Sequence, residues 1–302
     1  MVYNRELTHK ELIDELIELD KENEAMTLTY IGSSVFDRAI PLVTLGDKSA
    51  KKAVLYVATH HACESLCTVA LLKFIKDYLR LYENLAQVYQ INVRYLYRMR
   101  KVYIVPLLNP DGLEYRLSGI ERSNPIRDRI IAYNGGEDFS TWSANGRGVD
   151  LNHNYDAYFE EYKEIEKREG IFNGKTGFSG EYAESEPESA ALANFIRYNI
   201  DEIEGVISLH SQGEEIYYQS KGYTPRAGEH IGKIISKLTG YRLSSCEGKS
   251  AMGGLTDWFI KEFDKPSFTV ECGRGENPLP PSQISSIYTR LREMLFTFPI
   301  LF

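Results

Sequence analysis

The strongest constraint on this chain is a set of short apolar runs spaced along it, each too short to be a long helix and each bounded by a change of pattern. AVLYVAT at 53–59 is apolar throughout and rich in strand formers, which predicts a strand buried on both faces. KVYIVPLL at 101–108, GVISLH at 205–210 and SFTVE at 267–271 read the same way, and MTLTYIG at 26–32 and AIPLVTL at 39–45 add two more strands. Helical patterns lie between them. Thr8 and Glu11 form a capping-box pair ahead of Leu12, Ile13, Leu16, Ile17 and Leu19, and a long helical pattern runs from about Glu64 to Leu85. Ser185-Glu186-Pro187-Glu188 opens another helix, with Ser185 as cap, Pro187 in the first turn and Glu188 closing the box. Strands alternating with helices predict an α/β sheet covered on both faces.

Residues 112–182 are rich in Gly, Asn, Ser and Tyr with weak periodicity, which predicts a long, locally ordered excursion carrying site residues. No repeat or linker divides the chain, and 302 residues at 43% hydrophobic content predict one domain. A net charge of −8 without a dense basic stripe gives no reason to expect nucleic acid or an anionic membrane as partner, and no apolar run is long enough to span a bilayer. The first residues show no basic segment followed by an apolar run. Cys63, Cys67, Cys246 and Cys272 are too few and scattered for a disulfide framework, so they are expected as free thiols in a cytoplasmic protein.

The chemistry gathers where the apolar runs end. Thr59-His60-His61-Ala62-Cys63-Glu64 stands where a strand gives way to a helix, the position at which open α/β sheets form sites. The spacing of His61 and Glu64 can aim an imidazole nitrogen and a carboxylate at one point, two-thirds of a His₂Glu zinc site. Alone, such a pair also fits a surface or capping role. His60 is a rival ligand without an acid at the matching spacing. GVISLH ends in His210, which alone reads as a hydrogen-bonded core histidine and beside His61 and Glu64 supplies a third ligand, leaving one coordination position open. SFTVE closes an apolar strand with Glu271, where a carboxylate needs either an ion-pair partner or a polar site; the functional reading is a general base that takes a proton from the attacking water and returns it to the leaving amine. In the loop from Trp142 to Asn154, Arg147 could stabilise an oxyanion and Asp150 could hold the second N–H of a metal-bound histidine; the ordinary reading is a polar loop of Asn and Asp turns.

Taken together, HACE at 61–64, NPDG at 109–112, GVDLNHN at 148–154, SEPES at 185–189, SLHS at 208–211, GGLTDW at 253–258 and TVE at 269–271 resemble the motifs of the zinc carboxypeptidase family, in that family's order along nearly the whole chain. The resemblance implies an α/β fold with a mixed, mainly eight-stranded sheet, helices on both faces and one zinc ion. It places zinc on His61, Glu64 and His210, the base at Glu271, the oxyanion arginine at Arg147, the orienting aspartate at Asp150, and substrate contacts at Asn152, Ser211, Gly253 and Gly254. His153 stands where digestive members carry the arginine that clamps a terminal carboxylate. Lys249 aligns with the family's mobile tyrosine, for which Tyr241 or another tyrosine could substitute. WSANGRGVDLN, GGLTDWFIKEF and ECGRGENPLP resemble the branch that cleaves between γ-D-glutamate and a diamino acid, meso-diaminopimelate or lysine, in cell-wall peptides. Thr256 falls at the position that sets side-chain preference, and Asn152, His153, Lys249 and Arg274 are the expected contacts to the substrate's polar groups. The competing readings are an ordinary metallocarboxypeptidase, a zinc-free binding protein and a deacylase of N-acyl amino acids.

Overall fold

The computed structural model describes residues 5–245 and 248–302, so Cys246 lies outside the described residues. Helix α1 (His9–Glu22) starts at Thr8, whose hydroxyl accepts from Glu11 N while Glu11 returns a bond to Thr8 N, so the capping box forms. The strands follow as β1 (Met26–Ser33), β2 (Ala39–Leu45), β3 (Ala53–Ala58), β4 (Gln87–Val88), β5 (Ile91–Asn92), β6 (Lys101–Val105), β7 (Ile203–His210), β8 (Glu215–Tyr217), β9 (Arg242–Ser244) and β10 (Ser267–Glu271). Apart from the β4–β5 ribbon they build one eight-stranded sheet in the order β1-β2-β6-β3-β7-β10-β8-β9. It is mixed. Four neighbouring strands, β6, β3, β7 and β10, are parallel, and antiparallel pairings flank them on both sides.

Alternation along β3 divides the interior. Val54, Tyr56 and Ala58 pack with helix α2 (Leu66–Glu83) and the helix Ile284–Thr297 on one face. Ala53, Leu55 and Val57 pack with the helices Pro187–Tyr198 and Leu255–Phe263 on the other. Both faces of the central strands are therefore covered, as their unbroken apolar runs require.

Three local expectations need correction. The pattern from Glu64 to Leu85 is a 3₁₀ turn, Ala62–Glu64, followed by α2, so Glu64 precedes the α-helix. Ser185 does not cap the helix at Pro187: Glu186 occupies the cap position, and the Ser185 hydroxyl accepts from Asn154 Nδ2 and donates to Glu186. Glu188, expected to close the box, is buried and accepts from Asn145 Nδ2 instead. Finally, the stretch 112–182 holds most of the helix Pro110–Ser118 and all of Arg127–Asn134 and Phe159–Glu169. Arg127–Asn134 buries only Ile130, which is why its periodicity is weak, whereas Phe159–Glu169 buries Phe159, Tyr162 and Glu166 along one face.

The NPDG turn braces the end of β3. Thr59 takes a positive φ of 58°, turning the chain out of the sheet, and Asn109 N donates to its carbonyl at 3.1 Å. Asn109 Nδ2 holds the His60 carbonyl at 2.9 Å, while its Oδ1 accepts from Gly112 N and caps the following helix. A Cβ on Gly112 would collide with the Ala144 carbonyl oxygen and the Asn109 amide. Gly112→Ala should therefore cost about 1–3 kcal/mol of stability, as overpacking does, seen as a lower urea midpoint with an unchanged m-value.

Candidate metal centre and active site

The parallel strands β3, β7 and β10 are adjacent and deliver their carboxyl ends to one edge of the sheet. Ala58 pairs with Leu209 and Glu271 pairs with His210, so the turn after β3, the end of β7 and the end of β10 stand side by side. The 3₁₀ turn then carries Glu64 back over the strand ends. As a result His61 Nδ1 lies 3.0 Å from Glu64 Oε1, His210 Nδ1 lies 2.9 Å from Glu64 Oε2, and the two Nδ1 atoms are 3.3 Å apart. These three side chains are the group among the described residues whose ligand atoms fall within 4.8 Å of one another.

The hydrogen bonds on the far side of each ring show what this cluster is built for. His61 Nε2 faces Asp150 Oδ1 at 3.1 Å and His210 Nε2 faces Ser208 Oγ at 3.0 Å. With those nitrogens donating, both Nδ1 atoms present lone pairs toward a buried carboxylate. Converging lone pairs repel unless a cation lies among them, so this donor set fits one zinc ion. Without a cation, a proton on His61 is favoured. Burial opposes a charged His61, but Glu64 and Asp150 outweigh it and raise its pKa; burial likewise opposes ionised Glu64, but the two histidines bring it down to about 2. Asp150 is itself fixed by Gly177 N at 2.8 Å and Thr176 Oγ1 at 3.2 Å. His60 is excluded from the cluster, since its Nε2 meets the buried Tyr155 hydroxyl at 3.0 Å.

A cavity of about 410 Å³ opens beside these atoms, lined by His61, His210 and Glu271 together with Asn152, His153, Tyr217, Gln219, Ser245, Ser250, Gly254, Thr256, Asp257 and Thr269. No salt bridge to Glu271 is formed among the described residues, so the structural ion pair is not its partner. Burial raises its pKa well above the usual carboxylate range, the charge of Glu64 adds to this, and His61 opposes. Asn152 Oδ1 accepts from Leu255 N, and His153 stacks on Tyr162 at 4.1 Å while its Nδ1 meets the Met252 carbonyl at 2.7 Å. Gly253, with φ of 74°, lies so close to the His153 carbonyl that no side chain fits. Thr256 Oγ1 is 2.9 Å from Thr269 Oγ1.

Several expected contacts are drawn elsewhere. Arg147 does not line this cavity: its Nε donates to Glu186 at 2.9 Å and its Nη2 to the Ser185 carbonyl, in the wall of a separate cavity. Lys249 pairs with Glu169 at 2.7 Å and Arg274 with Glu214 at 2.6 Å, and neither lines the cavity. Ser211 donates to Asn277 Oδ1. Tyr241 is buried; the tyrosine in the cavity wall is Tyr217, from β8. Among the described residues the lining therefore contains no lysine or arginine. Asp257 and Asn277 were not singled out by sequence. Asp257 is 6% exposed, its Oδ1 has no hydrogen-bond partner, and burial raises its carboxyl to about 7 against the opposing effects of Ser220, its own backbone N–H and Lys221. Cys63, Cys67 and Cys272 are free thiols.

Comparison with known proteins agrees with this geometry. The family model described as zinc carboxypeptidase matches residues 12–294. Gamma-D-glutamyl-L-diamino acid endopeptidase 1 of Lysinibacillus sphaericus is 32% identical over 86% of the chain, which spans 64% of that protein's length. The uncharacterized protein YqgT of Bacillus subtilis (strain 168) is 34% identical over 88% of the chain and 70% of its own length. The crystal structure of carboxypeptidase A from Helicoverpa armigera superposes with a TM-score of 0.72 at 19% identity, covering 98% of this chain and 73% of the other.

The arrangement separates ligands from neighbours. His61→Ala and His210→Ala should each lose zinc after gel filtration, whereas His60→Ala should retain it, with metal–ligand distances of about 2.0–2.2 Å in the parent protein. Full occupancy in either of the first two variants would reject the ligand set.

Proposed function

Because the chain belongs to the zinc carboxypeptidase family, we propose that this metallopeptidase hydrolyses the bond between γ-D-glutamate and a diamino acid in cell-wall stem peptides. The observation that carries the reading is the charge of the cavity wall. Removing single amino acids from a chain end calls for a fixed cation to hold the terminal carboxylate. Here Arg147, Lys249 and Arg274 are each paired with an acid outside the cavity, and His153 in the wall has its Nδ1 engaged by the Met252 carbonyl. A substrate whose chain continues beyond the cleaved bond makes no such demand. The wall instead contains Asp257, with a carboxylate oxygen lacking a donor, beside Thr256, Thr269 and Gln219. An ammonium group suits that setting, and a diamino acid supplies one. The name of the Lysinibacillus relative, an endopeptidase acting on gamma-D-glutamyl-L-diamino acid bonds, points the same way.

Zinc in such a site lowers the pKa of a water molecule and polarises the scissile carbonyl. The chain's own residues do the rest. Asp150 keeps His61 in the tautomer that presents Nδ1. Glu271, at the end of β10 and level with His210, takes a proton from the attacking water and delivers it to the leaving nitrogen. Its elevated proton affinity in the buried cavity suits the first half of that transfer, the removal of a proton from water.

Replacing Glu271 by Gln should leave zinc content unchanged and lower kcat by about 10²–10⁴-fold, the usual contribution of a general base; near-normal turnover would remove it from the mechanism. For substrate, kcat/KM for L-Ala-γ-D-Glu-lysyl-D-Ala and its diaminopimelate counterpart, whose chains continue past the cleaved bond, should exceed that for peptides ending in Phe or Leu. The lysine compound should also surpass its norleucine analogue. Asp257→Asn should erase about 10- to 100-fold of that last preference, the scale of one hydrogen bond to a charged group. If a plain C-terminal Phe or Lys peptide is the better substrate, the enzyme is an ordinary carboxypeptidase.

A further inference from the structure

Glu64 receives a hydrogen bond from outside the histidine pair. Asn277, in the loop after β10, donates from Nδ2 to Glu64 Oε1 at 3.3 Å and to the Ser211 carbonyl at 2.6 Å, while its Oδ1 accepts from the Ser211 hydroxyl at 2.8 Å. The opposite orientation of the amide would set oxygen against two acceptors, so the network itself fixes which end is nitrogen. Ser211 directly follows His210, and Asn277 belongs to the segment that follows Glu271. One side chain thus joins the strand end carrying the third ligand, the carboxylate ligand, and the exit of the strand carrying the base.

We propose that Asn277 is a positioning residue for the metal centre, acting through Glu64. A buried carboxylate can rotate about its last bond, and each orientation presents different lone pairs to the ligand cluster. Glu64 Oε2 is faced by His210 and Oε1 by His61. A donor on Oε1 from the side away from His210 stops that rotation and occupies a lone pair that would otherwise be unmet. An amide does this without adding charge. A lysine or arginine in its place would compete with the cation for the carboxylate, which accords with the neutral residue found here.

This inference concerns metal affinity and stands whichever peptide is cleaved. The test measures the zinc dissociation constant by chelator competition and the melting temperature of the metal-free protein, for the parent and for Asn277→Ala, with Asn277→Leu, closer in volume, serving if the alanine variant does not fold. Each substitution is also made in a Glu64→Gln background, because a double-mutant cycle isolates action through one partner. The expected result is a loss of zinc affinity of about 10- to 100-fold in the parent background, a metal-free melting temperature close to that of the parent, and a loss below about threefold once Glu64 is Gln. An unchanged dissociation constant, an equal loss in both backgrounds, or a loss accompanied by a matching fall in metal-free melting temperature would overturn it.

Discussion

The structure depends on bringing three lone-pair donors to one point inside a protein. Glu64 is 5% exposed and His210 is 1% exposed, so neither can rely on water to offset its polarity. Placing them there requires strands that are rigid and parallel up to their last residue. β3, β7 and β10 meet that requirement because they sit in mid-sheet, covered on both faces, with registers that align Leu209 with Ala58 and His210 with Glu271. The turn at Thr59, the Asn109 brace and the 3₁₀ segment Ala62–Glu64 then need to move the chain by only one short loop to complete the cluster. Asp150 and Ser208 settle the ring tautomers from behind. The fold thus supplies the site by geometry common to α/β sheets, and the chemistry follows from which residues occupy the strand ends.

Recognition is organised by the opposite principle, the removal of charge. Three basic residues near the site in sequence are neutralised by Glu186, Glu169 and Glu214. The exposed pairs contribute little stability, since the Lys249 and Arg274 side chains are more than half in solvent. All the same, none of the three cations lies in the wall of the cavity. What remains there is neutral or acidic apart from the histidines: hydroxyls, amides, Glu271 and Asp257.

The division between what could and could not be read from sequence follows the same line. Strand ends were legible because an apolar run that stops at His210 or Glu271 marks both a boundary and a costly polar residue. The ligand set followed from local spacing at 61–64 and from those ends. The helix Arg127–Asn134 is not legible because it buries only Ile130, too little to impose a period, whereas in Phe159–Glu169 the buried Phe159, Tyr162 and Glu166 do stand at helical spacing but one of the three is a glutamate, which masks the apolar pattern. Arg147 as the oxyanion arginine and Lys249 and Arg274 as substrate contacts rest on position in the motifs; their partners are distant in sequence, and no spacing rule reports which acid a long flexible side chain will meet. Ser185 failed as a cap for a related reason, since Asn154 competes for its hydroxyl.

Asp257 shows how a local role can conceal a functional one. It sits in the first turn of the helix Leu255–Phe263, where an acidic residue favours the helix N-terminus, and sequence alone gives no reason to look further. An exposed carboxylate would serve the helix N-terminus as well. The burial observed here raises its proton affinity and leaves Oδ1 without a donor, a cost that an exposed first-turn acid does not carry. A cationic group entering the cavity would remove that cost by keeping the carboxylate ionised. The binding of an ammonium-bearing side chain and the ionisation of Asp257 are then one coupled event, and selectivity for such a side chain should weaken as the pH falls and proton competes with ligand for the same oxygens.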